Sequence, residues 1–216
     1  MKEEIQAAAL FDLDGVIIDT ESQYSVFWNS QGDTFLGEKE FGRRIKGQTL
    51  NQIFDGYFRG REEIQEQIRV ALERFERQMS YAYIPGFPEF LTDLYKQGVQ
   101  TAVVTSSDAK KMENVYRAHP DFTSLFNIIL TAEDFTRSKP DPECFRLAMR
   151  RLACSPAYSV VFEDSFHGLT AGRDSGARVV GLATTNSRDS ISGKCDLVWD
   201  DFTGKTWNTL KQEWQE

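Results

Sequence analysis

The chain has 216 residues, enough for one substantial core or a core with a small cap. It is 40% hydrophobic and 27% charged, the balance of a soluble globular protein. A net charge of −8 with no Lys/Arg run argues against nucleic acid as the main partner, and no apolar run approaches the ~20 residues of a membrane span.

Ala7 to Leu10 and Phe11 form an apolar run without polar alternation that stops at Asp12. Such a run reads as a strand covered on both faces, as in a parallel α/β sheet. Asp12 and Asp14 follow one residue apart, so both lean to the same side past the strand end. Like charges that close need a counter-ion, and oxygen ligands suit magnesium. Gly15 permits a tight turn beside a ligand.

Residues 21 to 83 lack strand-like runs and are rich in Glu, Gln, Arg and aromatics. Ile64, Ile68, Ala71, Leu72 and Phe75 predict a long helix over Glu62 to Ser80, and Tyr24, Phe27 and Trp28 an earlier one. Gly47 in Ile45-Lys46-Gly47-Gln48-Thr49 interrupts the helical pattern with a turn. This region reads as a helical cap, reached through Val16 to Ile18 and left through Tyr83 to Pro85.

The α/β pattern resumes with a helix from Phe87 to Gln97, stopped by Gly98, and a strand from Gln100 to Thr105. Ser106-Ser107-Asp108 then opens a helix. Hydroxyls at a helix N-terminus offer an anion site or an ordinary cap, and spacing does not choose between them. Phe126 to Thr131 reads as a strand. In Lys139-Pro140-Asp141-Pro142, Pro140 keeps Lys139 extended while Asp141 and Pro142 start the next helix, so Lys139 sits on a rigid loop. Tyr158 to Phe162 is a strand that breaks into Glu163-Asp164, repeating the opening pattern. Ligands in parallel sheets collect outside the carboxyl ends of strands, so Asp12, Asp14, Glu163 and Asp164 are expected to share one cation. His167 reads as surface or supporting rather than ligating, since magnesium prefers oxygen. Strands over Arg178–Leu182 and Cys195–Trp199 and a helix from Thr203 to Glu216, behind Asp200-Asp201, complete the chain.

Cys144, Cys154 and Cys195 have neither metal-ligand spacing nor an even count, so reduced thiols in a cytoplasmic protein are expected. The polar start Met1-Lys2-Glu3-Glu4 reads as no secretory signal.

Four motifs in this order resemble those of the haloacid dehalogenase superfamily, and more narrowly its phosphatases related to β-phosphoglucomutase. They are Phe11-Asp12-Leu13-Asp14-Gly15 with Asp19-Thr20-Glu21, Thr105-Ser106, Lys139-Pro140-Asp141-Pro142 and Glu163-Asp164. The resemblance implies a Rossmann-like parallel sheet with helices on both faces over 1–16 and 85–216, and an inserted all-helical cap over 17–84. It implies Mg-dependent hydrolysis of a small phosphate monoester, such as a sugar phosphate, through an aspartyl-phosphate on Asp12. Asp14 would be the general acid and base. Thr105, Ser106 and Lys139 would hold the phosphoryl oxygens. Asp12, the Asp14 backbone and Asp164 would ligate magnesium, with Glu163 a ligand or a near neighbour. Mutases of this kind carry a cap arginine, histidine and lysine that hold a second phosphate. Here those positions are Leu50, Tyr24 and about Glu73, with Arg43, Arg44 and Lys46 as nearby cations. Hydrolysis is therefore favoured over a mutase reaction, and a non-catalytic phosphate sensor is the further alternative. Glu21, Lys46, Gln48 and Thr49 are candidate specificity contacts. The expected partner is a phosphorylated small molecule, with no nucleic acid and no membrane, and the chain is expected to be a monomer or weak dimer.

Overall fold

A computed structural model describes residues 6–214. The first strand, β1 (Ala8–Phe11), is buried along its whole length. Alternate side chains serve different layers: Ala9 and Phe11 enter one apolar cluster, Ala8 and Leu10 the other. This explains the unbroken apolar run, because both faces of the strand are covered.

Four helices follow: α1 (Glu21–Leu36), α2 (Phe41–Arg44), α3 (Leu50–Tyr57) and α4 (Glu62–Glu76). They hold an apolar cluster of their own around Phe41, Phe58, Ile53, Phe54 and Ile68. Trp28 and Tyr57 pack edge-on against Phe41. The expected helix over 62–80 ends at Glu76, and Tyr81 closes that end by donating its hydroxyl to the Glu76 carbonyl. The two linkers to this helical insertion run side by side. Asp19 N–H donates to the Ala82 carbonyl and Ile84 N–H to the Ile17 carbonyl, each at 2.9 Å. Ile18 and Tyr83 form an antiparallel bridge.

The remaining elements are α5 (Phe87–Lys96), β2 (Gln100–Val104), α6 (Ala109–Ala118), β3 (Ile128–Leu130), α7 (Glu143–Arg151), β4 (Ser159–Glu163), α8 (Phe166–Ser175), β5 (Arg178–Leu182), α9 (Arg188–Ile191), β6 (Leu197–Trp199) and α10 (Trp207–Glu213). Among the described residues the strands form one six-stranded parallel sheet in the order β3-β2-β1-β4-β5-β6. Helices α5, α6 and α10 cover the face with Phe11, while α7, α8 and α9 cover the other. Several strands are shorter than the sequence predicts. Thr105 and Thr131 fall just outside theirs, and their hydroxyls serve loop contacts. The last helix is confined to Trp207–Glu213 and capped by Thr206, not by the acidic pair before it. The part of that expectation falling on residues 215–216 lies outside the described residues. Among the described residues no helix is long and apolar enough to cross a membrane.

The chain winds outward from β1 to β3 and then returns to β4 on the other side of β1. The carboxyl ends of β1, β2 and β4 therefore flank a topological switch point, where open α/β sheets bind ligands.

Candidate active site

Asp12 is the residue after β1, and its N–H donates to the Phe162 carbonyl of β4 at 3.0 Å. The chain then doubles back. Ile17 and Ile18 both donate to the Leu13 carbonyl, and Gly15 takes φ +75°. The turn needs glycine for a second reason. A Cβ there would lie 2.3 Å from Asp164 Oδ2. Asp164 is the residue after β4, so the two strand tips deliver acids to adjacent points.

Lys139 lies between these tips and is 1% exposed. Its Nζ donates to Asp12 Oδ1 at 2.5 Å, to Glu163 Oε1 at 2.7 Å and to the Val104 carbonyl at 3.0 Å. The Phe145 ring packs 5.0 Å away. All three ammonium protons have acceptors, so the head group cannot wander. Burial alone would lower the Lys139 pKa, but the Asp12 and Glu163 carboxylates outweigh it and hold it above its ordinary value. Asp12 is pushed up to about 7, mainly by burial and secondarily by Glu163 and Asp14, against the pull of Lys139.

Glu163 is fully committed elsewhere. Its Oε2 accepts from the N–H groups of Asp164 and Ser165 and from the Ser165 hydroxyl. Its carboxylate also packs so tightly on α8 that a Cβ at Gly168 would sit 1.7 Å from Oε1. Of the two roles expected for Glu163, metal ligand or near neighbour, its contacts favour the second: both its oxygens are occupied, and it anchors Lys139.

Asp164 differs. Its Oδ2 is buried and, apart from the nearby Thr185 hydroxyl, which eases its charge, has no hydrogen-bond partner among the described residues. Burial, then Glu163, Glu21 and Asp12, raise its pKa well above the usual carboxylate range. A buried acid with a free oxygen, next to another acid and one cation, is short of positive charge. Among the described residues no three His, Cys, Asp or Glu side chains form a ready-made metal cage. Two carboxylates, Asp12 and Asp164, are oxygen donors of the kind that suit magnesium, which keeps waters and substrate oxygens in its shell. Asn186 and Thr184 brace this loop pair, donating to the Asp164 carbonyl at 2.9 Å and the Gly15 carbonyl at 2.5 Å.

Thr105 and Ser106 follow β2, opposite Asp12. Most donors at the start of α6 are already taken. Ser107 N–H is taken by the Thr105 hydroxyl, Ala109 N–H by Glu133 and Lys111 N–H by the cap residue Asp108. Ser106 remains open: its hydroxyl is buried without a partner, and its N–H makes no hydrogen bond among the described residues.

Asp14 does not point the same way as Asp12. Its Oδ1 accepts from the Thr20 hydroxyl, and its Oδ2 from Ser107 at 3.1 Å and from Lys111 Nζ. Lys111 was not legible as a site residue, because a Lys-Lys pair on a helix normally marks its solvated face. Its spacing three residues after the cap Asp108 was the available signal.

The helical insertion covers this floor and leaves a cleft of about 380 Å³. Glu21, Lys46 and Gln48 line it, as do Tyr24, Leu50 and Glu73, the three positions where a mutase clamp was sought. Lys46 Nζ lies 3.4 Å from the Thr185 carbonyl and 3.8 Å from Glu21 Oε2. Glu21 is pushed up to about 7 by burial and Asp14, against Lys46 and Lys111. Arg43 and Arg44 are exposed and do not line the cleft; Arg69, missed in the sequence, does. Thr49 caps α3 reciprocally with Gln52, whose side-chain amide reaches the Lys139 carbonyl at 3.4 Å.

A family model described as haloacid dehalogenase-like hydrolase matches residues 9–182. A putative phosphatase, YhcW, of Bacillus subtilis is 32% identical over 80% of this chain and 81% of its own. The validoxylamine A 7'-phosphate phosphatase of Streptomyces hygroscopicus subsp. limoneus is 27% identical, over 92% of this chain and 95% of its own. Among solved structures, CbbY from Rhodobacter sphaeroides in complex with phosphate superposes with a TM-score of 0.77 at 23% identity, covering 96% of this chain and all of its own (100%). The last likeness speaks to the fold.

Proposed function

This chain belongs to the haloacid dehalogenase-like hydrolases and is a phosphatase of that family, and from that premise we propose that it hydrolyses a small phosphate monoester, a sugar phosphate or similar metabolite, through an aspartyl-phosphate on Asp12. One observation carries the reading. Lys139 is sealed against Asp12 while Asp164 Oδ2 is buried and unpartnered beside the same loop.

Asp12 Oδ1 is held by Lys139, and Oδ2 makes no hydrogen bond among the described residues. Oδ2 therefore attacks phosphorus as the bond to the leaving oxygen breaks. Asp14, in its protonated form, gives a proton to that oxygen; the carboxylate left behind, the state that Thr20, Ser107 and Lys111 stabilise, then takes one from the water that cleaves the acyl phosphate. The Ser106 N–H, the Thr105 hydroxyl and Lys139 meet the charge on the transferring oxygens. Magnesium, held by Asp12, Asp164 and the Asp14 carbonyl, would offset that charge and orient the phosphoryl group. Residues 17–84 act as the cap, which excludes water and supplies Glu21, Lys46 and Gln48 to the leaving group.

Hydrolysis is favoured over a mutase reaction because Tyr24, Leu50 and Glu73 face the cleft without a cation among them. Arg69 is the observation on the mutase side. Phosphate release from a panel of sugar phosphates, nucleotides and pyrophosphate, with and without magnesium, tests the reading. Activity on a monoester that is lost in Asp12→Asn supports it. Phosphate binding without turnover on any substrate turns it into a sensor, and isomerisation of β-glucose 1-phosphate with its bisphosphate activator turns it into a mutase.

A further inference from the structure

Three lysines line the cleft above Lys139, and each already has a carboxylate. Lys111 Nζ is paired with Asp14, Lys110 with Glu73, and Lys46 lies 3.8 Å from Glu21. A cation answered from within the protein offers little to an anion arriving from water, because the newcomer faces the resident carboxylate as well. Arg69 stands apart at the mouth. Its side chain is 44% exposed, and its guanidinium rests on the Phe54 ring and faces Glu66 at 3.6 Å. Water and salt screen a charge in that setting.

The acids are less completely answered. Glu76 is 8% exposed and lines the cleft. Its Oε1 accepts from the Tyr24 hydroxyl, a neutral donor, at 2.8 Å, and its Oε2 accepts no hydrogen bond among the described residues. Glu21 also lines the cleft, and neither of its oxygens accepts a hydrogen bond among the described residues; its ion pair with Lys46 is a loose one. Burial raises both carboxyls above their ordinary values, as expected of acids short of donors. On the α6 side, Asp108 and Glu133 add negative charge, each with an oxygen spent on a backbone N–H.

The two sets are therefore unequal: the enclosed cations are matched, while two enclosed acids keep oxygens to spare. A buried acceptor without a donor is costly, and a molecule that brings hydroxyl or ammonium groups removes that cost. A second phosphate or a carboxylate would bring more acceptors into a space already short of donors.

Resting on the phosphatase reading, we propose that the cleft selects its monoester by charge: it admits a leaving group that carries hydroxyl or ammonium groups and no second anion, with Glu21 and Glu76 as the acceptors that enforce the choice.

Three esters on one carbon chain test this. Sorbitol 6-phosphate, glucamine 6-phosphate and 6-phosphogluconate differ only at C1, which is a hydroxyl, an ammonium or a carboxylate carbon. With magnesium at pH 8, kcat/KM for the first two is expected to exceed that for 6-phosphogluconate by at least about 10-fold. Their inhibition constants against 4-nitrophenyl phosphate are expected in the same order, which reads binding even for an ester that is not turned over. Glu21→Gln and Glu76→Gln each remove one negative charge and keep the shape. Each is expected to narrow the sorbitol-to-gluconate ratio by about 5-fold, through better use of 6-phosphogluconate. A merely structural role would shift all three esters together and leave the ratio where it was, and the 4-nitrophenyl rate reports whether each variant is folded. Equal use of the sorbitol and gluconate esters by the wild-type chain, a preference for the gluconate ester, or a ratio unchanged in both variants overturns the proposal while the phosphatase reading stands. If the wild-type chain with magnesium releases phosphate from none of the three and none from 4-nitrophenyl phosphate, the phosphatase reading has failed, and the proposal falls with it.

Discussion

Lys139 and Glu163 form an ion pair closed to solvent: Nζ lies 2.7 Å from Oε1, and each side chain is 1% exposed. The pair is the foundation of the site, since Lys139 holds Asp12 and Glu163 holds Lys139. Lys139→Ala would leave two buried carboxylates without their cation. It is expected to lower folding stability by about 3–5 kcal/mol in urea melts and phosphate release by about 1000-fold. Glu163→Gln keeps the shape and an acceptor, so its cost is expected to be about 1–3 kcal/mol. Equal stability losses in the two variants would contradict this ordering.

Asp164 is the group that most needs a cation. Millimolar magnesium is expected to raise the melting temperature of the wild-type chain by several degrees and to leave Asp164→Asn unmoved. In the presence of a chelator the variant is expected to melt higher than wild type, because a neutral amide replaces a buried acid whose Oδ2 lacks a partner. Magnesium stabilisation that survives in Asp164→Asn would remove Asp164 from the metal set.

Glu21 should show itself in the pH dependence of stability. Its carboxyl is pushed up from 4.5 to about 7 in the folded chain, by burial and by Asp14. The folded state therefore binds the proton more tightly than the unfolded one. The contribution to stability is full below pH 4.5 and is lost as pH rises through about 7. Glu21→Gln, neutral throughout, is expected to match wild type at about pH 4 and to melt about 5 °C higher at pH 8. Melting curves that stay parallel across that range would place Glu21 in an ordinary solvated setting.

Gly15→Ala combines two penalties: a left-handed backbone at φ +75° and a Cβ 2.3 Å from Asp164 Oδ2. Gly204→Ala is the control, with φ +71° and nothing within 4 Å of its Cβ. Both are expected to lose about 1 kcal/mol from backbone strain. Gly15→Ala is expected to lose magnesium stabilisation and about 100-fold in activity as well, while Gly204→Ala keeps both.

Much of this was legible in the chain. The apolar run before Asp12 marked the central strand because both its faces are buried, and Pro140 and Pro142 marked the rigid setting of Lys139. The aromatics Phe27, Trp28 and Phe75 marked the core of the insertion. What escaped were relationships set by packing between distant segments. Glu163 and Asp164 are adjacent acids, yet one is enclosed by Lys139 and the α8 start and the other is left open; nothing in two neighbouring letters separates them. Lys111 and Arg69 look like solvated charges on their helices. Only the seating of the insertion on α6 and over the cleft gives them a role. Arg43 and Arg44, equally basic, turn outward.

The paired linkers have an evolutionary corollary. Because Ile18 and Tyr83 lie across from one another, the chain enters and leaves its helical insertion through one narrow neck. A neck of that kind lets the inserted module be exchanged, lengthened or trimmed with little disturbance to strand order. The chemistry below it can then be retained while the choice of molecule admitted from above is rewritten.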